Sequence, residues 1–389
     1  SDVPYPIGPG GLTTDGYFGN GYWDNDVWAM PALLPSWPEL ARTGATYRYN
    51  LRSAAAAHAR SHQFPGLFFP FQTAGTGAEV DLFEPANYLE QHVGGGVALL
   101  MEKLVQFSCG GPEDVNIAKA VVPGVSDFFV SRATSSKYDH EQLSINNVVP
   151  PDEFATGAVY QGVDDAVYMN AIAKRTAETA MRLLPGDARV NAWQTLLNLT
   201  MLTGTTASEK AYHLEYRNFP DGNIWSGGKV KQADVTMLAF PLETAGVSGG
   251  TDIQRSDLLF YEPLYDPEGP AMTSSVSVVG WLELGEAERA AKWMKNQTAH
   301  IHAPFNVWTE SKSANQHQTL KDEGCYNFMT GGGGFIQSMM HGYGGLRIRW
   351  SDNEHLSSMI TLDPQLPARA TSLKMRSISF AGATFSVMF

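Results

Sequence analysis

Helical patterns cut at intervals by glycine and proline constrain this chain more than any other feature. Apolar residues recur with helical spacing over about 31–61, 85–107, 113–133, 165–183, 187–203, 270–284 and 286–297, with another run near 326–342. Gly110-Gly111-Pro112 and Pro185-Gly186 supply stop signals between neighbours. Past Gly345 the period changes to two: "LRIRW", "SSMITL", "TSLKMRSISF" and "ATFSVMF" alternate as strands do, with Asp-Pro and Leu-Pro between them. This predicts a mainly α protein, with a large helical domain over 1–345 and a short β-rich appendage over 346–389. Helices paired into inner and outer rings fit the count. An irregular helical array is the rival.

Between the helices lie long stretches rich in Gly, Asp and aromatics, at about 8–27, 64–84, 138–164 and 217–232. Loops beyond about 12–15 residues are either functional or disordered, and the aromatic content argues for order. The chain holds 9 Trp, 15 Tyr and 19 Phe. Most serve a core, but such rings also stack on sugars. The formal net charge is −13, with no run of Lys or Arg, which argues against nucleic acid or another polyanion as partner. A neutral ligand suits the balance better. No apolar run approaches the roughly 20 residues that span a bilayer. The two cysteines, Cys109 and Cys325, define neither a metal site nor a disulfide framework, and no metal or cofactor is called for. Asn198-Leu199-Thr200 and Asn296-Gln297-Thr298 are glycosylation sequons and point weakly to secretion, to the cell exterior or a vacuole. A cytoplasmic location stays open.

Four segments could carry chemistry. "VPPDEF" (149–154) stiffens a loop with Pro150 and Pro151 and places Asp152 and Glu153 at its end. A general acid needs such a mount, although in isolation a solvated acidic turn explains the segment better. "GYWDNDVW" sets Asp24 and Asp26 between Trp23 and Trp28, as either a capped helix start or a sugar pocket of carboxylates and indole faces. "FNVWTES" ends in Glu310, a candidate second carboxylate or an exposed residue at a strand end. "GGKVKQADV" clusters Lys231, Gln232 and Asp234 without P-loop spacing. "TGGGGFIQ" lacks the strand and acidic residue that a dinucleotide fingerprint needs.

In their order, "GYWDNDVWAMPALL", "YRYNLRSAAAAHA", "PGLFFPFQTAGTGAE", "LEQHV", "PPDEF", "VDDAVYMNAIA", "KQADVTMLAFPL", "FYEPLYDPEGPAMT", "FNVWTES" and "NFMTGGGGFIQSMMHGYGGLRI" resemble glycoside hydrolase family 65 over about 15–350. The resemblance implies an (α/α)6 barrel and an inverting mechanism on one terminal α-glucosyl unit. It implies that Glu153 is the general acid and Glu310 the general base. It puts Trp23, Asp24, Lys231 and Gln232 on the released glucose, and Asp26, Glu90 and Glu262 on the pocket wall. "YEPLYDPEGPAMT" with "FNVWTE" looks most like the members that remove α-1,2-linked glucose from kojibiose or from glycosylated hydroxylysine. An acid-trehalase-like hydrolase, a phosphorylase and a non-catalytic carbohydrate-binding protein are the alternatives. Glu310, Asp322 and Glu323 stand where phosphorylases hold phosphate, and carboxylates there favour water as the acceptor. Family members carry a β-sandwich before the barrel, so an N-terminal part of the same precursor is an expected partner. Ser274 and Gln72-Thr73 depart from the commoner Trp and Glu-Ser.

Overall fold

A computed structural model describes residues 5–11, 16–82, 86–157, 161–243, 250–313, 324–351 and 355–389. These residues are mainly helical, and their strands form only short antiparallel pairs. The chain divides into two compact units. One comprises Ser1–Arg48, Leu100–Ile117 and Pro267–Phe389, and the other Tyr49–Leu99 and Ala118–Asp266.

In the first unit the helix Thr273–Glu283 is buried on every side from Thr273 to Leu282. A helix apolar all round must sit inside its domain. Its partner, Ala287–Thr298, buries only Ala290 and Gln297 and turns charged residues to solvent. Gly285, at φ +75°, reverses the chain between them, where its N–H caps the carbonyl of Leu282 at 3.0 Å. One inner and one outer helix thus make a hairpin. The glycine run falls in the helix Met329–Gln337, where a Cβ on Gly333 would stand 2.8 Å from the Trp28 carbonyl oxygen. The glycines therefore allow close approach to the π-helical turn Asn25–Ala29. Gln337 Nε2 donates to the carbonyls of Val27 and Trp28 at 3.0 and 2.8 Å, groups for which a π-turn must find partners.

In the second unit the helix Val167–Leu183 buries Met169, Ile172, Ala173, Thr176, Ala177, Ala180 and Leu183, a stripe of helical period. The shorter helix Val190–Thr195 buries only Trp193. The helix Pro112–Arg132 starts with Pro112 and two acids, Glu113 and Asp114, and ends on Arg132, as the helix dipole favours.

Three sequence expectations change. The pattern over 31–61 is not one helix but Met30–Leu33, Pro38–Asn50 and Arg52–Ser61: Pro35 and Pro38, which lack an N–H, part the first two, and Leu51, at φ −89° and ψ 3°, parts the last two. The pattern over 187–203 closes early, passing from Val190–Thr195 into a 3-10 turn, Leu196–Asn198, and the strand Thr203–Thr205. The helix Gly250–Tyr261 was hidden by a polar buried side, since Asp257 faces inward to His213. The strand pattern past Gly345 holds: Leu346–Trp350 pairs with Ser358–Leu362, and Lys374–Phe380 with Ala383–Met388. Among the sequons, Asn198 is exposed, whereas Asn296 is half-buried with its amide donating to Ser274 Oγ at 2.8 Å.

Candidate active site

The Pro150-Pro151 loop is held at both ends. The Val149 N–H reaches the Leu89 carbonyl at 3.0 Å, and Gln232 Nε2 donates to the Pro151 carbonyl at 2.5 Å. The same Gln232 nitrogen donates to Glu153 Oε1 at 3.0 Å, and Lys231 Nζ meets Glu153 Oε2 at 2.5 Å. Glu153 and Lys231 keep about 31 % and 28 % of their side chains exposed, so both can meet a ligand. Three of the predicted residues, far apart in sequence, are therefore in direct contact.

Glu90 joins them electrostatically. Its side chain is buried, and burial, then the Glu153 charge, push its carboxyl well above the usual range, with Lys231 opposing. His92 Nε2 lies 3.4 Å from Glu90 Oε2, and burial holds that imidazole down to about 3. Burial thus disfavours the charged form of both side chains.

Beneath the loop lie three fully buried carboxyl groups. Asp152 accepts the N–H groups of Lys231 and Phe154 at 2.7 and 3.1 Å and the amide of Asn223 at 2.5 Å. Its own N–H points to Asp234 Oδ2 at 3.3 Å. The Glu215 carboxyl is buried beside this group, its charge and that of Asp152 disfavour one another, and neither Glu215 oxygen meets a donor among the described residues. Burial raises Asp152 to about 6 and carries Glu215 and Asp234 well above the ordinary carboxylate range.

These raised carboxyls set a stability trend. With the folded values above the unfolded ones, the native state binds more protons and its stability falls as pH rises through the folded values. Glu79, raised by burial to about 7, acts in the same direction. His92 and His300, lowered by burial to about 3 and 4, act the opposite way, but only below the unfolded histidine value near 6.5. Denaturation midpoints are therefore expected to drop from pH 6.5 to 8.5. A flat or rising profile would contradict the protonated cluster.

In the first unit Glu310 is 8 % exposed, at the end of the short strand Val307–Trp308. Its Oε2 accepts the Tyr17 hydroxyl at 2.7 Å and the Cys325 N–H at 2.8 Å. Gly324, at φ +78°, leaves room for it: a Cβ there would fall 2.8 Å from Glu310 Cβ. Asp24 accepts the Thr330 hydroxyl at 2.6 Å, and Trp23 packs edge-on to Trp28 with centroids 5.8 Å apart. Asp26 is wholly buried. Its carboxylate takes Arg48 Nη2 at 2.6 Å, Arg48 Nε at 3.1 Å and Asn25 Nδ2 at 2.9 Å. Glu262, in the second unit, starts a 3-10 turn and is half-buried. Asp322 and Glu323 lie outside the described residues.

A cavity of ≈ 1180 Å³ in the second unit is lined by His58, His62, Tyr88, Asn147 and Gln161 among others, and by none of the predicted site residues. Sequence spacing gave no sign of Tyr17, Thr330, Arg48, Asn223 or Glu215. Each acts on a residue distant in the chain.

The model of the glycosyl hydrolase family 65 central catalytic domain matches residues 1–201. The chain belongs to this family. A protein-glucosylgalactosylhydroxylysine glucosidase of Dictyostelium discoideum is 33% identical over 99% of this chain and 51% of its own. A kojibiose hydrolase of Mucilaginibacter mallensis is 31% identical over 88% of this chain and 48% of its own. The chain thus spans about half the length of the curated family 65 relatives it matches. The solved structure of a putative kojibiose phosphorylase from the human microbiome shares 18% identity, with a TM-score of 0.76 over 100% of this chain and 54% of that one. That likeness gives the fold, the (α/α)6 barrel that the family resemblance implied. No described helix is long and apolar enough to cross a membrane.

Proposed function

We propose that the protein is a glycoside hydrolase that removes a terminal α-1,2-linked glucose from a glucosyl oligosaccharide or a glycosylated hydroxylysine, with inversion. One observation carries this reading: Glu153 stands on a proline-stiffened loop, part-exposed, with Lys231 and Gln232 on its two oxygens. Glu153 gives its proton to the glycosidic oxygen as the C1–O bond breaks. Glu310, held through one oxygen by Tyr17 and Cys325, takes a proton from the water that attacks C1 from the opposite face. Lys231 and Gln232 donate to hydroxyls of the bound glucose, and this draws the ammonium away from Glu153. Trp23 and Asp24 offer an indole face and an acceptor of the kind a glucosyl unit takes. Glu90 and Glu262 add polar groups to the wall. Asp26, spent on Arg48, supports the Trp23-Asp24 segment from behind.

The two relatives named above are called a glucosidase of hydroxylysine-linked disaccharide and a hydrolase of kojibiose, which supports this substrate class. The sequons are consistent with a secreted glycoprotein. The test is glucose release from kojibiose, trehalose, maltose, nigerose and glucosylgalactosyl-hydroxylysine, each with and without phosphate. We expect the α-1,2 substrates to lead without phosphate. Release that requires phosphate would make the protein a phosphorylase, and a preference for trehalose would move it to the 1,1 linkage.

A further inference from the structure

Asp152, Glu215 and Asp234 are buried and coupled electrostatically, and such a cluster of carboxyl groups is costly unless it does something. We infer that Asp152 is a positioning residue, which sets the geometry between the proton donor Glu153 and its partner Lys231. This rests on the reading of Glu153 as the acid.

The argument is geometric. One oxygen, Asp152 Oδ1, accepts the backbone N–H of Phe154, which follows Glu153, and the backbone N–H of Lys231. It therefore clamps the two segments whose side chains meet at 2.5 Å, although 78 positions separate them in sequence. The second oxygen, Oδ2, takes the amide of Asn223. That amide also donates to the Lys229 carbonyl at 2.7 Å, and Asn223 Oδ1 receives the Tyr216 hydroxyl. Asp152 Oδ2 and Asn223 thus tie down the backbone on the approach to Lys231 as well. Asp234 Oδ2 faces the Asp152 N–H at 3.3 Å, and the buried Glu215 carboxyl lies close enough to couple to Asp152 electrostatically. Asp152 is 0 % exposed, so it reaches no substrate and acts only through its neighbours. A hydrophobic residue of similar volume would fill the space but would leave two backbone N–H groups and one hydrogen of the Asn223 amide without acceptors.

A displaced acid is felt in proportion to how much the leaving group needs a proton. The second glucose of kojibiose leaves as a poor alkoxide and needs one, whereas the fluoride of α-glucosyl fluoride leaves with little help. The readout is the ratio of kcat/KM on kojibiose to kcat/KM on α-glucosyl fluoride, taken on one preparation. The fraction of folded enzyme cancels in that ratio, so a merely structural lesion does not move it. We expect Asp152→Ala to lower the ratio at least tenfold, as a misplacement on the order of 1 Å can cost about a hundredfold. Asp152→Asn keeps one oxygen for the two N–H groups and is expected to fall less. It carries the test if the alanine variant does not fold. A ratio within twofold of the wild-type value in both variants overturns the positioning role. Glu153→Gln separates the two ideas: its own ratio must collapse. If that ratio holds, the proton-donor reading fails and the positioning role fails with it. If only the Asp152 variants hold, the acid stands and the clamp does not.

Discussion

Glu153→Gln is expected to cut glucose release from an α-1,2-glucosyl disaccharide by about 10²–10⁴-fold, the usual contribution of a positioned general acid. The amide matches the carboxyl in shape and keeps one acceptor for the Gln232 or Lys231 donors. What it lacks is a transferable proton. KM should change much less than kcat, because the lost interaction is made in the transition state. The melting temperature should move little, since Glu153 is part-exposed and its contact with Lys231 is open to solvent screening. Turnover of kojibiose within about threefold of the wild-type rate would remove Glu153 from the mechanism.

The largest stability effect is expected at Arg48. Arg48→Ala should cost about 3–5 kcal/mol in denaturant unfolding, the range for breaking a fully buried ion pair by deleting one partner. Both side chains are 0 % exposed, and Arg48 Nη2 also donates to the Tyr22 carbonyl at 3.0 Å. Removing the guanidinium strands the Asp26 carboxylate, which burial already pushes up and which Arg48 holds down. The damage falls next to Trp23 and Asp24, so activity should fall together with stability. Replacing both partners, as in Asp26→Leu with Arg48→Met, should recover much of the loss, because no unpaired charge remains. A loss below 1 kcal/mol for Arg48→Ala would show that water reaches the carboxylate.

Much of the fold was legible because burial repeats locally. The stripe on Val167–Leu183 marks its buried side on every third or fourth residue, and the near-continuous burial of 273–282 shows as a segment without charged residues. The alternation in Leu346–Trp350 does the same with period two. The misses came where that imprint is weak. Gly250–Tyr261 turns Ser256 and Asp257 inward, so its buried side does not read as apolar. The 31–61 pattern runs through prolines that local periodicity does not register but that the hydrogen-bond ladder does.

The candidate site divides in the same way. From the sequence came the stiffened loop, because proline geometry is a local property, while the choice of Glu153, Lys231 and Gln232 came from the family resemblance carried by the ordered segments. Tertiary structure showed how the two adjacent acids differ in surroundings. Asp152 is spent on the backbones of Phe154 and Lys231, and Glu153 is left part-exposed. It also decided that Asp26 faces Arg48, 22 positions on, and that Glu310 is held by Tyr17, 293 positions earlier. Those partners are chosen by distance in space. A hydrogen bond or a buried charge responds to what lies within about 3 Å, and no local spacing encodes which distant segment will arrive there.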